Sequence, residues 1–341
     1  MDRLPLIRHS ERVAYKRCPK KWFWAWRMGL VPKHKTYGAL DLGTWVHEAF
    51  ADWYRHEDRD NVNLAGIFMQ AYTATALLAK EAGAPQYALD KAEELAMLGE
   101  AMLTAYQKFY GAGDPDVNVI AAEIPLEFPI TDSDGKLVAL HKLKPDLVYA
   151  DRNGDVWLME HKTAAQIRLG HLPIDDQARP YVAMAEPALR KAGVIGKRQY
   201  FKGVMYNFAR KALPDERPKD AQGRSLNKNG SVSAKQPTPT FMRHPITLTR
   251  AARRIALMRL RIETMLITDL TRALHEKAID PRVLTKTPHS SCEKLCPFFT
   301  MCVVEEQGGD ISEMQRTMYV RRDPYLYEEE TTDIPLSFEL S

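Results

Sequence analysis

Only four cysteines occur in this chain of 341 residues, at Cys18, Cys292, Cys296 and Cys302. That is too few to frame a small disulfide-stapled scaffold, and in a reducing compartment they do not serve as structural disulfides. Long apolar runs are lacking too: none reaches membrane-spanning length, and Met1-Asp2-Arg3 does not open a signal-peptide pattern. These absences imply a soluble, cytoplasmic protein without a membrane partner. Net charge is only +4, yet it is unevenly spread. From Val303 onward ten acidic residues face three basic ones, a balance of −7, so the first 302 residues carry +11. A basic body with an acidic tail suits a nucleic-acid partner without demanding one. Hydrophobic residues make up 45%, enough for a substantial core in one large domain or a core with appended helical parts.

What is present is concentrated between Asp146 and Tyr181. Two apolar runs flank Asn153-Gly154, a short hairpin cue. The first is expected as a strand over Leu137–Ala150 carrying Asp146, the second over Val156–Lys162 ending in Glu160-His161-Lys162. Asp146 and Glu160 lie fourteen residues apart across that turn, so adjacent strands bring their carboxylates to one point. Two such carboxylates hold a hard divalent cation through oxygen. Strand alternation puts Lys162 on the same face as Glu160, where it can position a water beside the cation. A helix opening near Asp175 carries Gln177 and Tyr181 one turn apart.

Elsewhere the chain reads as scaffold. Ser10 is a candidate N-cap for a helix over Glu11–Trp26, interrupted by Pro19; its tryptophans serve core packing or base stacking. Gly43 to Phe50 opens a helix in which His47 shares a run with Phe50 and Tyr54, the setting of a core histidine. Leu64–Lys80 and Gln86–Tyr110 have helical periodicity and form an insertion over about 60–112. Val119–Ile130 reads as one strand with Glu123 and Glu127 on the same face. After a strand over Gln199–Ala209, a polar segment of about 210–245 is either disordered or a flap. Thr249–Ala278 is one long helix with an arginine row, facing phosphate or solvent. Residues 303–341 read as an acidic, partly disordered tail.

Asp146, then Glu160-His161-Lys162, then Gln177-x-x-x-Tyr181 resembles the PD-(D/E)xK nuclease superfamily, and within it the RecB-type branch. The resemblance implies an α/β restriction-endonuclease-like core, a mixed central sheet flanked by helices, over residues 1–302. It implies Mg²⁺ or Mn²⁺ held by Asp146, Glu160, the His161 backbone carbonyl and His47, which fits a G-x-x-x-H helix pattern with Gly43. Lys162 would position the nucleophile, Gln177 and Tyr181 would orient substrate or Lys162, and Glu123 would support the site. The run Lys142-Leu143-Lys144-Pro145-Asp146 lacks the glycine common before the family's aspartate.

Four thiolates satisfy either zinc or an iron–sulfur cluster. One cysteine near the N-terminus and three in the 292–302 cluster resembles the iron–sulfur subclass of RecB-type nucleases, including the AddB nuclease domain and CRISPR-associated exonucleases. That implies a [4Fe–4S] staple joining the two ends of the nuclease core, with Zn²⁺ the alternative. The function so implied is a DNA exonuclease in recombination, repair or replication, with a helicase, recombinase or single-strand-binding protein as partner. A phage-encoded enzyme acting in the host cytoplasm and a CRISPR adaptation nuclease both fit. A non-catalytic DNA-binding protein on the same fold is the competing reading.

Overall fold

The structure, a computed structural model, describes residues 5–33, 38–81 and 83–325. In chain order its strands are β1 Leu6–Arg8, β2 Leu30–Pro32, β3 Asn118–Ala122, β4 Leu126–Thr131, β5 Leu137–Leu143 and β6 Leu147–Ala150. They continue with β7 Val156–Ala164, β8 Phe201–Arg210, β9 Phe241–Ile246 and β10 Tyr319–Arg321. The helices begin with α1 His9–Arg17, α2 Pro19–Trp22, α3 Ala39–Arg55, α4 Leu64–Glu81 and α5 Gln86–Tyr110. After them come α6 Ala178–Lys191, α7 Arg250–His275, α8 Cys292–Leu295, α9 Phe299–Glu306 and α10 Ser312–Met318. Among the described residues no helix is long and apolar enough to cross a membrane.

The chain divides into two compact units, one of residues 1–35, 127–143 and 255–341, the other of 36–126 and 144–254. In the second, a five-stranded mixed sheet runs β3-β6-β7-β8-β9. Only β7 and β8 are parallel; the other pairs are antiparallel. Alternation sends Trp157 and Met159 of β7 into a core with Trp45, Phe50 and Trp53 of α3 and Tyr106 of α5. Glycine decides how α4 meets α5: a Cβ on Gly99 would fall 2.1 Å from Phe68 Cζ. The expected helical insertion is therefore built as two packed helices.

The other unit holds a three-stranded sheet, β1-β5-β4, and the ribbon β10-β2. Trp22 and Trp24 are fully enclosed, which assigns both to core packing. The helix expected over Glu11–Trp26 instead ends at Arg17, and Pro19 restarts it. Its N-cap is Arg8, not Ser10.

Several boundaries differ from expectation for local reasons. The strand expected over Val119–Ile130 breaks into β3 and β4, in different sheets, because Glu123 sits at φ 54°. Glu123 and Glu127 therefore do not share a strand face. The strand expected over Leu137–Ala150 breaks at Lys144-Pro145-Asp146, where proline offers no ladder donor. The segment after β8 is folded over its described length. Asp215 accepts from Arg217 Nε at 2.9 Å and Ser225 Oγ at 2.6 Å, and Ser225 is buried. Of the acidic, partly disordered tail expected over 303–341, residues 303–325 are folded: α9 runs through Val303, and Tyr319 packs on Phe298 and Met301. Residues 326–341 of that expected tail lie outside the described residues.

Candidate active site

The β6–β7 hairpin delivers the carboxylates. Leu147 pairs with Met159, so Asp146 and Glu160 reach the same end of the sheet. Asp146 Oδ2 accepts the His161 backbone N–H at 2.7 Å, which pins the carboxylate to the Glu-x-Lys strand. The same oxygen lies 3.3 Å from His47 Nδ1. One turn earlier on α3, a Cβ on Gly43 would come within 3.2 Å of Thr163 Oγ1, so glycine lets α3 approach the end of β7.

Glu160 and Lys162 share the opposite face from His161, with Nζ 3.7 Å from Glu160 Oε2. Gln177 bridges them. Its Nε2 donates to Glu160 Oε2 at 2.6 Å, and its Oε1 accepts from Lys162 Nζ at 2.7 Å. Asp175 sets Gln177 there by accepting the N–H of Gln177 at 2.9 Å and of Ala178 at 2.7 Å, the first turn of α6. Tyr181 is buried one turn on. Glu123 gives its N–H to the Asp146 carbonyl at 3.1 Å and pairs with Lys144 Nζ at 2.5 Å. Beside these residues opens a groove of about 370 Å³ lined by His47, His161, Lys162, Thr163 and Lys211.

The electrostatics separate the two carboxylates. Burial works to raise Asp146, but His47, by charge and hydrogen bond, then His161 and Lys162, hold it well below the usual carboxylate range. Burial first, and the Asp146 charge second, push Glu160 well above that range. This is the divergence expected of like charges sharing a buried site. Burial also raises Glu123, with Lys144 opposing. His47 is raised because Asp146 outweighs burial, whereas burial drives His161 down to about 3.

Glu160 Oε1 is buried without a hydrogen-bond partner. An orphaned carboxylate oxygen near a second carboxylate and an imidazole suits a hard cation, so the residues present fit Mg²⁺ or Mn²⁺. Among the described residues no group of three or more His, Cys, Asp or Glu side chains is placed to hold a metal ion, so the cation would rest on the two carboxylates with backbone oxygen. Glu160 Oε2 is turned to Gln177, and Asp146 Oδ2 to the His161 N–H.

In the other unit, Cys18, Cys292, Cys296 and Cys302 all line one cavity of about 360 Å³, with Lys20 and Lys286 at its wall. All four are free thiols. Burial raises the Cys302 thiol, with Lys286 opposing and Cys18 and Cys296 adding to the rise. The four thiols thus share one cavity, without being placed as a finished metal-holding group.

Tyr106, Asp114, Asn207 and Arg243 belong to no motif, yet they form a buried hydrogen-bonded set behind His161. Only contact across three strands, α5 and the loop after α5 brings them together.

A carboxylate pair, a lysine and a histidine at the end of a mixed sheet define a class: nucleases that cut phosphodiesters with a divalent cation. A family model described as the PD-(D/E)XK nuclease superfamily matches residues 9–303, and the chain belongs to that superfamily. Among curated protein sequences nothing matches. The crystal structure of SSO0001 is similar over 78% of this chain and 78% of its own, at 12% identity and a TM-score of 0.30.

Proposed function

We propose that this protein is a RecB-type DNA exonuclease that hydrolyses phosphodiester bonds at DNA ends or in single strands, with an iron–sulfur cluster on its four cysteines. The observation that carries the nuclease reading is the arrangement at Glu160. One of its oxygens is bridged through Gln177 to Lys162, and the other is buried and unsatisfied near Asp146. A binding module has no need of that set.

Asp146, Glu160, the His161 carbonyl and His47 would hold the cation. Bound there, Mg²⁺ or Mn²⁺ supplies a lowered water pKa and charge to offset the phosphate oxygens. Lys162, held by Gln177, donates a hydrogen bond to the attacking water or to a phosphate oxygen as negative charge builds. Water oxygen bonds to phosphorus, its proton passing to solvent, as the opposite ester P–O bond breaks and the departing oxygen takes a proton from solvent. Tyr181, buried one helical turn beyond Gln177, would back that bridge. The four thiols would bind the cluster as a structural group, since hydrolysis moves no electrons.

The test uses end-labelled single- and double-stranded DNA with Mg²⁺ or Mn²⁺. Asp146→Asn and Glu160→Gln should each abolish cleavage while DNA binding survives, and a chelator should stop the native protein. Full activity in either variant overturns the assignment. Internal cuts in circular DNA overturn the exonuclease part alone.

A further inference from the structure

The wall behind the site is polar where it has every opportunity to be apolar. His161, Asn207 and Arg243 are register neighbours on β7, β8 and β9. Around them on the same three strands, Met159, Ala209 and Phe241 join the apolar core. Asn207 Nδ2 reaches His161 Nδ1 at 2.8 Å and Tyr106 Oη at 2.8 Å. Tyr106 Oη also accepts from Arg243 Nη2 at 3.0 Å and stands 3.2 Å from Tyr54 Oη. Tyr54 donates to Asp114 Oδ2 at 2.7 Å, and Arg243 Nη1 donates to Asp114 Oδ1 at 3.0 Å.

These bonds run in one direction. Asp114 accepts the Tyr54 O–H, so the Tyr54 oxygen accepts from Tyr106, leaving the Tyr106 lone pairs to Arg243 and Asn207. Both Asn207 amide hydrogens are then committed, and His161 Nδ1 is an acceptor. The imidazole lies flat on Phe50, with centroids 4.1 Å apart and planes 14° apart. His161 is thus gripped by its ring face and its ring nitrogen.

A buried ion pair with a hydroxyl and amide relay is poor value as stabilisation, because an apolar row of the same volume serves as well or better. Its position supplies another use. His161 gives its N–H to Asp146 at 2.7 Å and stands between Glu160 and Lys162. We propose that Asn207 is a positioning residue which, with Tyr106 and the Asp114–Arg243 pair, clamps His161 so that the metal-facing backbone of β7 stays set against Asp146. The clamp rests on the cation-site reading and touches no reacting atom.

Asn207→Leu keeps the volume and removes the clamp; Tyr106→Phe removes one hydroxyl and serves if the first variant does not fold. Mn²⁺ affinity is read by electron paramagnetic resonance, DNA affinity by anisotropy without metal, and folding by thermal melting. Loss of a partner that orients a metal ligand weakens metal affinity by about 10–100-fold. That loss is expected for Asn207→Leu, with a smaller one for Tyr106→Phe, unchanged metal-free DNA binding, and kcat recovering towards native at saturating Mn²⁺. Folded variants that bind Mn²⁺ like the native protein overturn the clamp and leave the nuclease reading intact. A native protein whose Mn²⁺ binding is absent, or indifferent to Asp146→Asn, overturns the cation site and the clamp with it.

Discussion

His47 Nδ1 and Asp146 Oδ2 stand 3.3 Å apart, joining α3 to the break that precedes β6. Each supports the other's charge: Asp146 holds the imidazole above its ordinary pKa against burial, and His47 leads in holding the carboxyl down. If His47 joins Asp146 in holding a divalent cation, the cation competes with a proton on His47 below its raised pKa, since only neutral imidazole is a ligand. Mn²⁺ affinity should fall as pH drops through the raised His47 pKa. In His47→Gln that slope should become shallower, the remainder belonging to the raised Glu160 carboxyl, while affinity at high pH drops. Binding isotherms across pH 5–9 (on the order of the usual His range) check it; parallel slopes in the two proteins refute it.

Lys162 is separable from a general positive surface. Its Nζ is fixed by Gln177 at 2.7 Å, and lysine is not a metal ligand. Lys162→Met should lower kcat by about 10²–10³-fold, the usual cost of one preorganised donor, with Mn²⁺ affinity preserved. Exposed Lys191, at the end of α6, serves as the comparison. Lys191→Ala should change cleavage less than twofold (roughly the scatter of surface substitutions). Equal modest losses at both positions mean plain electrostatics.

Gln177→Ala tests the bridge itself. Without the amide, Glu160 Oε2 loses its 2.6 Å partner and Lys162 loses its anchor. Metal affinity should fall, because Gln177 orients Glu160, and kcat at saturating metal should fall as well, by about 10–100-fold in all. A variant with native kcat shows the bridge to be incidental.

The hairpin was legible because its information is local. A turn between two apolar runs sets the spacing of Asp146 and Glu160, and alternation puts Lys162 beside Glu160. The breaks at Glu123 and Pro145 were less so. Apolar periodicity continues across both, and the Glu123 kink is held by a bond to the Asp146 carbonyl. Asn207 was illegible for a stronger reason. Its link to His161 follows from the parallel register of β7 on β8, which nothing in either strand alone encodes. The four cysteines were easy to group, being all there are. Their shared cavity needed the fold, since Cys18 comes from the far end of the chain.

The cysteine cavity makes its own prediction. Protein purified without oxygen should be brown, with a broad charge-transfer band and about four irons per chain. Cys18→Ala should lose the colour and lower the melting temperature, because Cys18 opens α2 while the other three lie after residue 290. A colourless protein holding one tight zinc overturns the cluster and leaves the nuclease reading standing.

Glu11 gives a stability prediction in the unit that holds the cysteines. Its Oε1 takes Trp22 Nε1 at 3.1 Å, Arg27 Nη2 at 3.2 Å and Tyr325 Oη at 2.8 Å, while Oε2 is buried without a partner. Burial raises the carboxyl to about 7, with Arg27 and Trp22 opposing. The folded state then binds a proton that the unfolded state releases at ordinary carboxyl pH. Stability contributed by Glu11 is therefore full below the unfolded pKa and falls as pH rises through about 7. Over that window the loss is on the order of 2–4 kcal/mol. Glu11→Gln keeps the shape without the titration, so its melting temperature should exceed the native one near neutral pH and converge on it in acid. A constant difference between the two proteins from acid to neutral pH would mean that Glu11 stays ionised throughout, its charge held by Arg27.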